Sequence, residues 1–355
     1  MGKGRSKIKN RRKVQSSKPP RKSIYLVFLA LMVIIPYART INFDFVNIDD
    51  AVLIFENPLV TDSNVPYSKS FERFLFNVHY KPLVFLSWKA EYDLFGGNSW
   101  HFHLFNWLLH LANTFLVFVL GLALFRKLFS DEKKILFSAF ALAALFTVNP
   151  LRIESVAWAT ERKDVLFSFF FLASWLVYIR YIEKKKSVLL IAGGILYLLS
   201  GLSKSMGLTL IAVIAATDFW YQRKFNFKII LEKIPYLVAF LILTWLYGLL
   251  QFGDVGSATV SPQEEMQEMA PPITSVESIN SLPLILQWLF TTSARFLLWI
   301  IHSFIPVKLS IIYPHDAVFG FLGASVFIAP LIIVFIYLWS WKKRKSEPAL
   351  LAGMV

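Results

Sequence analysis

Residues 101–125 read HFHLFNWLLHLANTFLVFVLGLALF. No Asp, Glu, Lys or Arg interrupts the run, and Arg126-Lys127 follows at once. A bilayer core needs roughly twenty apolar residues in one helix, so this stretch reads as a membrane span. Its basic end belongs inside by the positive-inside rule. His103, Asn106 and His110 are spaced three and then four apart, which places them on one face of the helix. Ionisable and amide groups inside a span are costly and face a bundle interior or a water cavity. Two uses fit equally: contact with a ligand, or hydrogen bonding between helices. A metal site built from His103 and His110 is not expected, because two turns separate them and no carboxylate lies between.

The rest of the chain reads in the same terms. Of its 355 residues 56% are hydrophobic and only 17% charged, with a mean hydropathy of +0.55. Soluble chains carry about a quarter charged residues, so the expectation is one all-α integral membrane domain over residues 23–341. Further spans are expected at 23–38, 135–148, 165–181, 188–202, 206–221, 230–252 and 318–341, giving about eight. A ninth at 283–305 would leave Lys342-Lys343-Arg344-Lys345 outside, against the charge rule. With Thr291, Thr292, Ser293, Arg295 and His302, that segment reads instead as an amphipathic helix in the outer interface. A full ninth span with a charge violation is the alternative.

The net charge of +14 comes from bases clustered between apolar blocks and in the first residues, Lys3 to Lys22. Residues 1–22 read as a basic, disordered cytoplasmic tail. No aromatic interleaving accompanies it, so nucleic-acid binding is not expected. Residues 342–355 read as a cytoplasmic tail or the start of a further span. The chain has no Cys, which excludes disulfides and thiolate metal sites. No small-residue cleavage site follows the first apolar run, so it reads as an anchor that stays.

Long polar segments are expected outside at 42–100, 149–164 and 253–316; the first, rich in Phe, Tyr and Trp, is expected to pack as small helices on the outer surface. These segments carry most of the polar residues of interest. Asp49 and Asp50 follow the first span. Arg152, Glu154, Trp158, Glu161, Arg162 and Lys163 lie between the third and fourth, Lys204 joins the fifth and sixth, and Tyr313, His315 and Asp316 precede the last. Carboxylates, cations and aromatics on one face suit a phosphate-bearing, sugar-like substrate. Cations hold phosphate and a carboxylate takes a proton. Each residue also has a plainer reading: Asp49-Asp50 as solvated loop charge, Glu154 as a partner of Arg152 or Arg162, and Arg162-Lys163 as a helix-end anchor. Lys204 is harder to dismiss, since the charge rule asks for no cation outside.

The segments resemble a known family. Asn47-Ile48-Asp49-Asp50 with Glu56-Asn57-Pro58 is similar to the first loop of the transmembrane, tetratricopeptide-repeat O-mannosyltransferase-like family, within the GT-C glycosyltransferase superfamily. Tyr80-Lys81-Pro82-Leu83 resembles its Tyr-Arg-Pro-Leu element, and Phe102-His103-Leu104-Phe105-Asn106 with His110 resembles its Phe-His-Leu-x-Asn-x-Leu-Leu-His helix. Asn149-Pro150-Leu151-Arg152-Ile153-Glu154-Ser155-Val156-Ala157-Trp158 resembles its His-Pro-x-His-x-Glu-x-Val-Ala-Trp loop, and Gly201-Leu202-Ser203-Lys204 its Leu-Ser-Lys turn. Two motif histidines are replaced here by Asn149 and Arg152, and no repeat domain is present. The family continues beyond the length of this chain, so a short form or a fragment is expected.

The resemblance implies a GT-C-like polytopic bundle with interfacial helices on its outer face. It implies transfer of a sugar, mannose by expectation, from a polyprenyl- or dolichyl-phosphate donor. The acceptor is a hydroxyl of an exported protein or a glycan, and transfer inverts the anomeric carbon. Asp49 or Asp50 is then the base. Arg152, Arg162, Lys204 and Arg295 stabilise the leaving phosphate, and Glu154 orients a cation or a sugar hydroxyl. His103 and Asn106 shape the donor pocket, and Tyr313 joins the substrate contacts. In a variant mechanism Asp49 and Asp50 hold Mg²⁺ or Mn²⁺. The membrane is the plasma or inner membrane in a prokaryote and the endoplasmic reticulum in a eukaryote. The N-terminus is cytoplasmic and the active face outside or lumenal. A non-catalytic lipid-sugar transporter or assembly scaffold with the same fold is the alternative function.

Overall fold

The computed structural model describes residues 21–46, 48–72, 80–224, 226–252, 284–304 and 328–343. Every regular element among them is helical, and no strand occurs among the described residues. The chain opens with α1 (Lys22–Tyr37), which carries Pro36 in its last turn and passes into a 3-10 turn, Ala38–Asn42. The long segment over 42–100 folds largely into short helical elements, as expected. A π-helical turn spans Ala51–Phe55, followed by α2 (Pro58–Thr61), a 3-10 turn over Tyr67–Phe71, and α3 (Pro82–Phe95).

Local chemistry accounts for these elements. Asn57 caps α2 by accepting the Leu59 N–H at 3.0 Å, with Pro58 in its first turn. Pro82 likewise opens α3, and Gly96 closes it at φ +80°, a conformation other side chains rarely take. The signal was present in the sequence, as a proline start and a Gly96-Gly97 stop around an apolar run.

The long helices follow. These are α4 (Ser99–Phe125), α5 (Glu132–Val148), the short α6 (Arg152–Ala157), α7 (Arg162–Lys184), α8 (Val188–Ser203) and α9 (Leu210–Trp220). Beyond them lie α10 (Phe227–Glu232), α11 (Ile234–Phe252), α12 (Leu284–Phe304) and α13 (Ala329–Lys343). By length and apolarity, three helical stretches can cross a membrane: Lys22–Asn42, Ser99–Phe125 and Ala159–Lys184. Val188–Ser203, Ser205–Trp220, Ile234–Tyr247 and Ala329–Trp339 are apolar but shorter. Among the described residues the protein is all-helical, as an all-α membrane protein would be, and three of the expected eight spans reach full length there. The expected interfacial segment forms α12, which packs on α13.

α7 is central and packs against both α4 and α8. Leu29 of α1, Phe118 of α4, and Leu136 and Ala139 of α5 form one core. Tyr178, Tyr197, Leu210, Tyr236 and Leu243 form another among α7, α8, α9 and α11. Apolar packing is weakly directional in lipid, so small residues and polar bonds between helices fix the arrangement. Asn113 of α4 donates to the Val165 carbonyl of α7 at 2.9 Å, and Thr114 meets Thr147 of α5 at 2.9 Å. Ser174 donates to the Gly193 carbonyl of α8 at 2.7 Å. α4 and α7 run parallel, because Asn106 bonds Arg162 at their starts while Leu120 and Ile179 share a cluster further along. A third core seats Leu53, Ile54, Leu59, Val84 and Trp88 on Phe102, at the start of α4.

Candidate functional site

The starts of α4 and α7 come together beneath α3, α6 and the turn at residues 48–56, and most residues named from the sequence meet there. Asp50 has no exposed surface. One of its carboxylate oxygens accepts the Val46 N–H at 2.8 Å and the other the Thr160 N–H at 3.0 Å. It therefore ties the first loop to the turn before α7, 110 residues later. Asp49 is half-buried and makes no hydrogen bond among the described residues. The adjacent pair thus divides into a structural carboxylate and an available one.

Arg162 is held as fully as Asp50. Its side chain is 1% exposed and ion-paired with Glu91 of α3. Its guanidinium also donates to Asn106 Oδ1, to Ser87 Oγ at 3.3 Å and to the Phe102 carbonyl at 2.9 Å. The five N–H groups that a guanidinium owns are all taken by protein acceptors. Asn106 completes the tie by donating to the Trp158 carbonyl at 2.9 Å. His101 belongs to the same knot, bonding the Gly96 carbonyl at 2.8 Å with its other ring nitrogen 3.6 Å from Glu91. Ser87, Glu91 and His101 carry no role in the sequence reading; a Glu and a Ser on one face of an apolar helical run were the available signal.

The two remaining α4 positions differ. His103 is fully buried near Asp50, its ring 6.4 Å edge-on from Phe43. His110 is packed between Tyr37, at 5.2 Å, and Phe146, at 5.6 Å, deeper in the bundle.

Around Asp49 lies a second, more accessible set of charges. Lys81, half-buried at the start of α3, forms no ion pair among the described residues. Burial, with the neighbouring charges of Lys163 and Lys204, pulls its pKa down to about 8 against the opposing pull of Glu161 and Asp49. Lys163 pairs with Glu161, and Lys204 with Asp164, which also accepts from Ser155 at 3.2 Å. Arg152 lies 4.9 Å from the Phe146 ring centroid; burial lowers its pKa while Asp164 acts the other way. Glu154 stands exposed on α6, its pKa raised by partial desolvation and by Glu161 and Asp164. Tyr247 of α11 closes one side: its hydroxyl donates to the Gly201 carbonyl at 2.6 Å, with the Tyr80 carbonyl 3.4 Å away.

Arg295 is exposed on α12 and is not among the residues described around this cluster. Tyr313, with His315 and Asp316, lies outside the described residues. Among the described residues no three His, Asp or Glu side chains gather as metal ligands.

Against this geometry, a protein O-mannosyl-transferase of Caenorhabditis elegans is 32% identical over 208 residues, covering 56% of this chain and 28% of the relative. The Homo sapiens protein O-mannosyl-transferase TMTC2 is 32% identical over 164 residues, covering 44% and 18%. The Drosophila melanogaster protein O-mannosyl-transferase Tmtc2 is 28% identical over 171 residues, covering 45% and 17%. The chain is similar in sequence to these protein O-mannosyl-transferases. It matches less than a third of the length of each of these mannosyl-transferases. No family model matches the chain, and no solved structure matches it significantly.

Proposed function

We propose that the chain is a membrane glycosyltransferase that moves mannose from a polyprenyl- or dolichyl-phosphate to a hydroxyl of an exported protein or glycan. The observation that carries this reading is Asp49, a half-buried carboxylate with no hydrogen bond among the described residues, near Lys81, whose charged neighbours include Lys163 and Lys204, at the starts of the parallel helices α4 and α7. The names of the relatives support the sugar and the protein acceptor.

In the proposed reaction Asp49 removes the acceptor proton. The acceptor oxygen forms a bond to the anomeric carbon as the bond from that carbon to the phosphate oxygen breaks, with inversion. The electron pair goes to the lipid phosphate. That group leaves without an acid because Lys81, Lys204 and Arg152 stabilise its charge. Glu154 orients a sugar hydroxyl or one of these cations. Asp50, Asn106 and Arg162 hold the frame, and His103 shapes the wall next to Asp50. On this reading the cluster faces outside or the lumen and the N-terminus is cytoplasmic.

The test is transfer of labelled mannose from dolichyl-phosphate mannose to a Ser/Thr-bearing peptide by the purified full chain. Wild type is expected to transfer, and Asp49→Asn to lose transfer while eluting as the same folded species. Equal transfer by the two proteins would overturn the assignment. Binding of the donor without any turnover would favour a non-catalytic carrier.

A further inference from the structure

The far end of α7 carries a second charged cluster that the proposed transfer does not use. α7 is 23 residues long. At 1.5 Å per residue its end lies roughly 35 Å from Arg162, on the opposite membrane face. There the Tyr178 hydroxyl donates to Asp218 at 2.6 Å, and Arg223 pairs with Asp218 at 2.9 Å and also with Glu232. Lys233 takes the other Asp218 oxygen. These contacts occupy both Asp218 oxygens and hold Arg223 in place, while the second Glu232 oxygen is buried without a hydrogen-bond partner among the described residues.

Beside them opens a cavity of about 260 Å³ walled by Lys185, Arg223, Lys224, Lys228 and Glu232. Lys185 ends α7 in a left-handed conformation, φ 56°, and Asn226 caps α10 by accepting the Ile229 N–H at 3.0 Å. Those two turns place the lysines on one concave wall. Four cations face a single carboxylate, itself already paired with Arg223. Lys224 and Lys228 are exposed and form no ion pair among the described residues.

Charge alone would follow from the positive-inside rule. The concavity goes beyond it, and so does the helix beside it. α10 and the first residue of α11 expose Phe227, Ile230, Leu231 and Ile234. Their spacing of three, four and seven puts them on one face. A helix with an exposed apolar face beside bases lies in the membrane interface, so the cavity opens at headgroup level. Its volume is just below the roughly 300–1,000 Å³ of small-molecule pockets, which suits a headgroup and not a whole lipid. We infer that this cavity binds the phosphate of an anionic phospholipid headgroup on the membrane face opposite Asp49. The inference is independent of the sugar-transfer reading.

Native mass spectrometry of the full chain in detergent, titrated with phosphatidylglycerol or phosphatidylcholine, tests it. Phosphatidylglycerol should saturate a site that phosphatidylcholine does not. Lys224→Gln with Lys228→Gln should weaken that binding roughly tenfold or more, as expected for two membrane-facing lysines. Lys133→Gln with Lys134→Gln, at the start of α5 on the same face, should leave it unchanged. Lys228→Gln alone should give a smaller loss in the same direction, which keeps the test open if the double variant does not fold. Equal losses from the two lysine pairs would mean diffuse surface charge and overturn the inference. So would equal binding of the two lipids, or full displacement by inorganic phosphate, which would mark a free-anion site.

Discussion

Arg162 and Glu91, 71 residues apart in the chain, form a buried ion pair with side chains 1% and 4% exposed. The pair joins α3 to the start of α7, and Asn106 and the Phe102 carbonyl join α4 to the same guanidinium. Breaking a buried pair from one side costs about 3–5 kcal/mol, because a charge is left without its partner. Glu91→Ala should therefore lower the melting temperature of the detergent-solubilised protein sharply. Melting within error of wild type would show that the pair contributes no stability.

The two adjacent aspartates should separate cleanly. Asp49→Asn removes the proposed base, so transfer should fall about a hundred- to ten-thousand-fold with melting unchanged. Asp50→Asn replaces one accepting oxygen by an NH₂ group and strands the N–H of Val46 or Thr160. That should cost about 1–3 kcal/mol of stability. Activity lost only in Asp50→Asn, at wild-type melting, would exchange the roles.

Lys81 sets a pH dependence. A lysine with a pKa near 8 is cationic below that value and neutral above it. kcat/KM for the lipid-phosphate donor reports the free enzyme, and it should fall as pH rises through about 8. In Lys81→Arg the guanidinium keeps its charge across this range, so the fall should disappear. An alkaline limb unchanged in Lys81→Arg would remove Lys81 from donor binding.

α8 and α11 meet through glycine. A Cβ at Gly194 would stand 2.9 Å from the Pro235 carbonyl oxygen, and one at Gly193 would overlap the Tyr236 hydroxyl. Gly194→Val should force the helices apart and cost about 1–3 kcal/mol, read as earlier melting and faster proteolysis. The Tyr247 hydroxyl on α11 bonds Gly201 of α8 and lies 3.4 Å from the Tyr80 carbonyl, next to Lys81, so donor KM should rise in the same variant. Unchanged melting would mean that the close approach contributes nothing.

The reading of residues 101–125 as a membrane helix needed no structure, because a long uncharged apolar run has one stable solution in a bilayer. The same reasoning located the first and fourth spans, and motif order alone pointed to the mannosyl-transferase relatives. The helix at Pro82–Phe95 was also legible, through its proline start and glycine stop. What no local pattern could supply is the division of labour among like residues. Asp49 and Asp50 are neighbours of the same type, yet only the fold brings the Thr160 N–H to Asp50 and the Lys81 ammonium near Asp49. Arg162 reads as a phosphate-binding cation until Glu91 and Asn106 arrive from α3 and α4 to take its donors. Charge and polarity belong to the residue; whether they remain free to act depends on partners far away in the chain, and tertiary packing decides which partners those are.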